Sequence, residues 1–465
     1  MARLLLVAAW VLVAWGALAF GAVYPWAWRP LIAGAALTGI AAQWYGAKGG
    51  GNIGGRAVLA CLALVGAGVA LQLVPLPPAF VEAVSPNTPR LLAEQNLAFA
   101  VAENREPHPL SIAPVATARA LLMLIALTLL LSGLTRLLRL TGARAFCTWL
   151  VGLGVGLALV GIVQKALLGD HAFGGMKIYG FWAPENKLTT PFGPFVNRNH
   201  FAGWMLMAIP LALGLGLGWA ERATRRRHAG WRDLIGRLSS PEAGRAQLMA
   251  IAVVVMGLSL LMTRSRSGLA GLVIAMGIAA AVAGRRLGSG ISRMAAAAGV
   301  AAMLLLMVAL AGGDVAQRFA GTGFTELRPR IWRDGIRVVR DFPVAGTGLN
   351  TYGIAMLTYQ SSLPGVRFRE AHNEYLQVLV EGGLLLGVPA AAAFVALIIA
   401  IRRRFADGRD GTMTHWLRVG AATGLTAIAL QSLVEFSLQM PGNAVFCVVL
   451  ASIALHEPPP RRHHR

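Results

Sequence analysis

Apolar runs of roughly 18 or more residues recur along the chain, separated by short stretches rich in basic residues, Gly and Pro. The runs are continuous and do not alternate with period two, which predicts helices and argues against the strands of a β-barrel. About twelve spans are expected, near 4–23, 30–46, 57–76, 117–134, 146–168, 201–219, 247–263, 268–284, 295–312, 376–401, 416–436 and 442–456. Each is long enough, or nearly so, to cross a hydrocarbon core of about 30 Å. The expected fold class is all-α, a polytopic helical membrane protein with a long outer loop. The pattern divides into 1–312 with spans one to nine, a loop at 313–375 holding an amphipathic helix, and 376–465 with the last three spans and a basic tail. The opening stretch MARLLLVAAWVLVAWGALAFGAVYPW also fits a signal peptide with an A-x-A-like site ending at Ala19. Its length, and the inside start that the later spans need, favour an uncleaved first span.

Composition agrees with a membrane chain. Of 465 residues, 56% are hydrophobic and 13% charged, where soluble domains carry about 25% charged residues. The net charge of +22 raises the question of nucleic acid. The basic residues are dispersed through short loops between spans, so topology and anionic membrane lipid account for most of them and no nucleic-acid partner is expected. Cys61, Cys147 and Cys447 all fall inside apolar runs and read as buried small hydrophobes.

Charge also sets orientation. Starting inside, the cytoplasmic loops collect Lys48 and Arg56, then Arg136, Arg139 and Arg144, then Arg222, Arg225, Arg226, Arg227, Arg232, Arg237 and Arg245. They continue with Arg285, Arg286 and Arg293, with Arg402, Arg403 and Arg404, and with Arg461 and Arg462 in the tail. The loops at 77–116 and 169–200 are longer and poorer in Lys and Arg for their length. The positive-inside rule therefore puts both termini in the cytoplasm. The outer loop at 313–375 departs from the rule, with Arg318, Arg328, Arg330, Arg333, Arg337, Arg340, Arg367 and Arg369. Long loops translocate largely regardless of charge, so these arginines call for another explanation.

Within that loop RPRIWRDGIRVVRDFPVAGTG predicts an amphipathic helix ended by Pro343, Gly346 and Gly348. Arg330, Arg333, Arg337 and Arg340 recur at +3, +7 and +10, on one face, with Trp332, Ile336 and Val339 as a neighbouring apolar stripe. Two readings stand: an interfacial helix with arginines meeting headgroups, or a guanidinium row aimed at a polyanion such as a diphosphate. Two further basic sites fall at the same membrane level. GPFVNRNHFAGW puts Asn197, Arg198, Asn199 and His200 at the outer start of the sixth span, where a helix N-terminus attracts anions. TRSRSG puts Arg264 and Arg266 in the turn between the seventh and eighth spans, either as snorkelling groups or as part of an anion site.

His372 and Asn373 stand where the Arg-rich loop enters the tenth span. Histidine takes up a proton near neutral pH, so a base is expected here, against the plainer reading of a cap or interfacial group. Glu381 is about half a turn away in angle, is expected not to touch His372, and is read as bracing a neighbouring span. Glu435 is a second acid near the outer membrane edge, expected to pair with an arginine. The sequence holds no P-loop, no dinucleotide fingerprint and no outward Asp-x-Asp or His/Cys cluster, so neither a metal nor another cofactor is expected.

The ordered segments FVNRNHFAG, SRSG, RIWRDGIRVVRDFPVAGTGLNTY and HNEYLQVLVEGGLLLG resemble the O-antigen ligase and polymerase superfamily of bacterial envelope glycan transferases. The resemblance covers roughly 190–390 by motif. Ligases of the family often show His-Asn, nine residues, then Gly-x-x-Gly; here Gly383 is in place and the next glycine, Gly387, comes one residue late. The resemblance implies a GT-C-like fold in the inner membrane. It implies transfer of a glycan from undecaprenyl diphosphate to an acceptor hydroxyl on the periplasmic face. That acceptor is lipid A–core for a ligase, another glycan for a polymerase, or a protein side chain for an oligosaccharyltransferase. The family's loop histidine maps to His372, and its diphosphate-binding arginines to Arg198 and Arg266, with the loop arginines as further candidates. A direct displacement, with His372 as base and guanidiniums on the leaving diphosphate, inverts the anomeric centre without a metal. A lipid-glycan transporter shares the span count, but transporters group their polar residues near the bilayer midplane, within repeated or broken helices. Here the ionisable groups gather at the outer edge.

Overall fold

A computed structural model describes residues 1–47, 55–95, 97–101, 106–168, 177–185, 189–224, 240–283, 327–361 and 366–457. The described residues form helices and no strand. In chain order these are α1 (Ala2–Leu18), α2 (Pro25–Ala47), α3 (Arg56–Leu71), α4 (Pro78–Val84), α5 (Asn87–Gln95), α6 (Leu97–Ala100), α7 (Pro114–Thr141), α8 (Arg144–Leu168), α9 (Arg198–Thr224), α10 (Pro241–Met262), α11 (Arg266–Ala283), α12 (Leu327–Asp341), α13 (Tyr352–Tyr359), α14 (Glu374–Ala406), α15 (Thr412–Gln431) and α16 (Pro441–Leu455). Helices lie over every expected span except 295–312, which falls outside the described residues. So do Lys48, Arg225, Arg226, Arg227, Arg232, Arg237, Arg285, Arg286, Arg293, Arg318, Arg461 and Arg462. Among the described helices α7, α8, α9, α10 and α14 are long and apolar enough to cross a membrane, and α1, α3, α11 and α16 are shorter apolar helices. The chain is a multi-pass membrane protein.

The burial of these helices sorts them by position. In α9, 83% of the apolar window is buried inside the protein, against 17% in α14. A helix apolar on every side is a core helix, and α9 sits at the centre, packed on α8, α10, α15 and α16. Trp204 stacks on Phe446 of α16 with centroids 4.5 Å apart. Helix α1 is part of the bundle: Ala9, Val13 and Ala17 are buried, and a Cβ on Gly16 would stand 2.7 Å from the Cα of Gly442. Side-chain bonds tie together the ends that matter for function. Asn443 donates to the His200 carbonyl at 2.9 Å, the Tyr375 hydroxyl to the Ala429 carbonyl at 2.9 Å, and Lys165 to the Met262 carbonyl at 3.0 Å. The starts of α9, α14 and α16 and the ends of α8, α10 and α15 therefore share one end of the bundle.

Over that end lies a cap with its own core. Leu91, Leu92, Ile112, Ile331, Val338, Phe342, Tyr352, Met356 and Val380 form it. From residue 327 onward, the loop set apart by sequence shares this core with the segment around 91–112 and with the first turns of α14. Its helix α12 buries Ile331, Asp334, Gly335 and Val338, with Phe342 buried just after it, while Ile336 is 45% exposed. The buried stripe is thus displaced by one residue from the expected Trp332, Ile336 and Val339. The reason is tertiary: Gly335 lies against Leu376 and Val380 of α14, and Asp334 accepts bonds from the Ser361 amide and hydroxyl at 3.0 and 2.7 Å. The buried side of α12 is thus spent on the cap.

Candidate active site

The first three turns of α14 organise the site. Asn373 is the N-cap, its side chain accepting from the Leu376 amide at 3.0 Å. This puts His372 one residue outside the helix, with a left-handed φ of 50°. Its neighbour Ala371 is held on both sides. The Ala371 amide donates to Gln377 Oε1 at 3.0 Å, and the Trp332 indole donates to the Ala371 carbonyl at 3.0 Å. Gln377 donates in turn to Glu381 at 3.1 Å. Glu381 also accepts from the Asn350 and Tyr352 amides at 2.7 and 3.1 Å. It does not touch His372, as expected, but it braces the cap loop and not a neighbouring span. Glu374 likewise holds the 3-10 turn Ser437–Gln439, accepting from the Leu438 amide at 2.9 Å and Gln439 Nε2 at 2.7 Å.

That turn follows Glu435 and Phe436. Glu435 is 1% exposed and is the hub of the site. Arg328, at the start of α12, forms an ion pair with it, and Asn199 Nδ2 donates to its Oε1 at 2.7 Å. Its Oε2 lies 3.5 Å from Nδ1 of His372. The Phe436 ring stands edge-on between His372 and His200, with centroids 4.7 Å from each. His200 is buried, and its Nε2 has no hydrogen-bond partner among the described residues.

The start of α9 differs from the open anion site that its sequence suggested. The Arg198 amide donates to the Thr190 carbonyl at 2.8 Å and the Asn199 amide to Asn197 Oδ1 at 2.8 Å. The His200 and Phe201 amides both donate to the Asn197 carbonyl, at 3.0 and 3.2 Å. Asn197 is a cap, and the N–H groups of the first three residues of this helix, Arg198, Asn199 and His200, are occupied within the chain. Arg264 and Arg266 are half-buried in the turn between α10 and α11. This turn lies at the same end of the bundle, because a Cβ on Gly268 would stand 2.9 Å from Ala202 of α9.

The loop arginines separate into two sets. At about 100° per residue, Arg330, Arg333, Arg337 and Arg340 fall some 120–200° round α12 from Arg328. All four are exposed. Arg337 is 3.7 Å from Asp334 and lies over the Tyr359 ring. The face that reaches Glu435 and His372 therefore carries Arg328, and the row of Arg330, Arg333 and Arg337 points elsewhere. Arg328 was missed as a site residue because it stands outside the regular spacing of the row. Glu435 had a legible signal, an acid at the edge of an apolar run, but nothing near it in sequence shows that its partners are Arg328, Asn199 and His372. Among the described residues no three His, Cys, Asp or Glu side chains gather closely enough to hold a metal ion.

Residues 251–390 match the family model described as O-antigen ligase. This segment carries the domain of the O-antigen ligase and polymerase superfamily. No curated protein matches the chain. The O-antigen ligase domain includes Arg264, Arg266, Arg328 and His372, while Asn199 and Glu435 lie outside it and complete the cluster from α9 and the segment after α15. The family implies glycan transfer of the ligase or polymerase type, with a lipid-linked glycan and a glycan acceptor as substrates.

Proposed function

We propose that this protein is a glycosyltransferase of the bacterial inner membrane, built on a GT-C-like scaffold. In this reading it moves a glycan from undecaprenyl diphosphate to an acceptor hydroxyl on the periplasmic face. The reaction fitted best is that of an O-antigen ligase, with lipid A–core as acceptor. The observation that carries this reading is the His372–Glu435–Arg328 cluster, at the end of the bundle where Arg198, Arg264 and Arg266 also lie.

Glu435 holds the Nδ1 edge of His372, which leaves Nε2 for the acceptor. The acceptor hydroxyl gives its proton to Nε2 as its oxygen bonds to the anomeric carbon. The bond from that carbon to the diphosphate oxygen breaks, its electron pair leaves with the diphosphate, and the anomeric centre inverts. Arg198 and Arg266, with Arg264 beside them, stabilise the departing charge in a site of low dielectric. Asn373, Asn197 and Asn199 act through their caps and bonds, holding His372, the α9 start and Glu435 in place. Buried beneath Phe436, His200 packs against that ring on the side away from His372. A positioned base contributes about 10²–10⁴-fold, or roughly 3–5 kcal/mol of barrier.

The test uses purified full-length protein, undecaprenyl-diphosphate-linked glycan and EDTA throughout, with products resolved on a gel. Transfer to lipid A–core, lost in His372→Ala, is the expected result. Growth of a second carrier-linked glycan makes the protein a polymerase with the same site logic. A folded His372→Ala protein with full activity removes the proposed base.

A further inference from the structure

The opposite end of the bundle carries a cationic cluster that glycan transfer does not use. Arg144 at the start of α8, Arg222 near the end of α9 and Arg245 near the start of α10 surround the buried indole of Trp219. Their guanidinium carbons lie 5.5, 5.5 and 4.6 Å from its ring centroid. No two of them are therefore more than about 11 Å apart, close to one Debye length at physiological salt. Trp219 is 7% exposed, while all three arginines are exposed.

Cation–π attraction accounts for each guanidinium singly. It does not relieve the repulsion among three like charges drawn from three helices. Among the described residues none of the three arginines forms an ion pair with a carboxylate. The acid next in sequence, Glu221, turns its Oε2 to the Trp416 indole, at 2.6 Å. The cluster also borders an apolar surface. From Arg245, α10 runs toward the middle of the bundle with Leu248 61%, Ile251 59% and Val254 47% exposed. A ligand that matches both features has an anionic phosphate head and an apolar tail. Guanidinium meets phosphate with paired hydrogen bonds, and the exposed stripe of α10 is where acyl chains lie.

We propose that Arg144, Arg222 and Arg245 form a binding site for a phospholipid with an anionic headgroup, whose chains run along α10. The lipid supplies a counter-charge that no carboxylate among the described residues gives these arginines. The proposal is independent of the glycan-transfer reading.

The test is native mass spectrometry of the full-length protein in detergent, titrated with phosphatidylglycerol, with phosphatidylcholine, and with phosphatidylglycerol plus inorganic phosphate. Three proteins are compared: wild type, Arg144→Gln/Arg222→Gln/Arg245→Gln, and the control Arg402→Gln/Arg403→Gln, whose exposed arginines end α14 at the same level. At about 1 kcal/mol for each basic residue near an anionic lipid, the triple variant is expected to lose phosphatidylglycerol affinity by tenfold or more while the control keeps it. Arg245→Gln alone, the mildest change, is expected to give a smaller loss in the same direction. Equal binding of phosphatidylcholine, or equal losses in the triple variant and the control, overturns the proposal. Displacement of the lipid by inorganic phosphate overturns it in favour of a soluble-phosphate site.

Discussion

Nδ1 of His372 lies 3.5 Å from Oε2 of Glu435, and neither of these buried atoms has a hydrogen-bond partner among the described residues. A carboxylate facing the inner nitrogen of an imidazole selects its tautomer and aims the outer nitrogen. Arg328 and Asn199 both bind the same carboxylate, so its position is set by three separate segments.

His372→Gln is therefore expected to lower the transfer rate about 10²–10⁴-fold. Glu435→Gln removes the charge but keeps the shape, and is expected to give a smaller loss. Single-turnover rates with a carrier-linked glycan check both. Equal rates for Glu435→Gln and wild type would separate Glu435 from catalysis.

The two arginine sets of α12 make opposite predictions. Arg328→Gln leaves a buried carboxylate without its cation, a change worth up to about 3–5 kcal/mol in a fully buried pair and less here because Arg328 is 26% exposed. Transfer and thermal stability should both fall. Arg330→Gln/Arg333→Gln/Arg337→Gln is expected to leave the stability unchanged and the transfer rate close to wild type. Loss of transfer in the triple variant would return those side chains to the site.

Gly383 adopts φ +52°, and a Cβ there would stand 2.6 and 2.7 Å from the Val344 and Pro343 carbonyl oxygens. The helix is broken at this point, and the Leu384 and Leu385 amides donate to Pro343 and Val344, each at 2.9 Å. Gly383→Ala is expected to cost at least about 1–3 kcal/mol, because both the backbone strain and the contact resist it. A Cβ on Gly387 would meet only the flexible end of Leu379, at 2.8 Å. Gly387→Ala should be the milder variant, and thermal unfolding in detergent compares them directly.

Glu381→Ala leaves the Asn350 and Tyr352 amides without their acceptor. At about 1–3 kcal/mol for each unsatisfied buried donor, it should destabilise the cap strongly. Glu381→Gln keeps one oxygen and should lose less. Hydrogen exchange at Asn350 and Tyr352 reports the loosening locally, and unchanged protection in Glu381→Ala would contradict the bracing role.

His456, just beyond α16, has its pKa lowered to about 4 by burial, with Arg418 adding to the effect. Its Nδ1 lies 2.7 Å from the Ile453 carbonyl, which suits a neutral ring donating from that nitrogen. The unfolded chain takes up this proton near pH 6.5 and the folded chain only near pH 4. The folded protein is therefore fully favoured above about pH 6.5 and loses stability as the pH falls toward 4, by about 3 kcal/mol from this group. Unfolding temperatures of wild type and His456→Gln across that window check the sign: the variant should lose less on acidification.

The helices were legible in the sequence because they follow from local periodicity and from the cost of placing polar groups in hydrocarbon. The helix start at His372-Asn373 was legible for a related reason. It stands where a basic loop meets an apolar run, and there Asn373 caps a helix and fixes the histidine outside it. The regular spacing of Arg330, Arg333 and Arg337 was equally visible, but that row lies on the side of α12 away from Glu435. Spacing shows which residues share a face, and only packing shows where that face points.

By itself, then, the sequence determined a multi-pass helical chain and the place where its Arg-rich loop enters the helix that Asn373 caps. The tertiary structure alone decided that Arg328 and not the arginine row meets Glu435, that Asn197 closes the α9 start, and that two separate loops share one core. The physical reason is rotation and register. Burial of α9 on every side and the seating of Gly335 against Leu376 and Val380 set how each helix is turned, and those contacts join residues that no local pattern links.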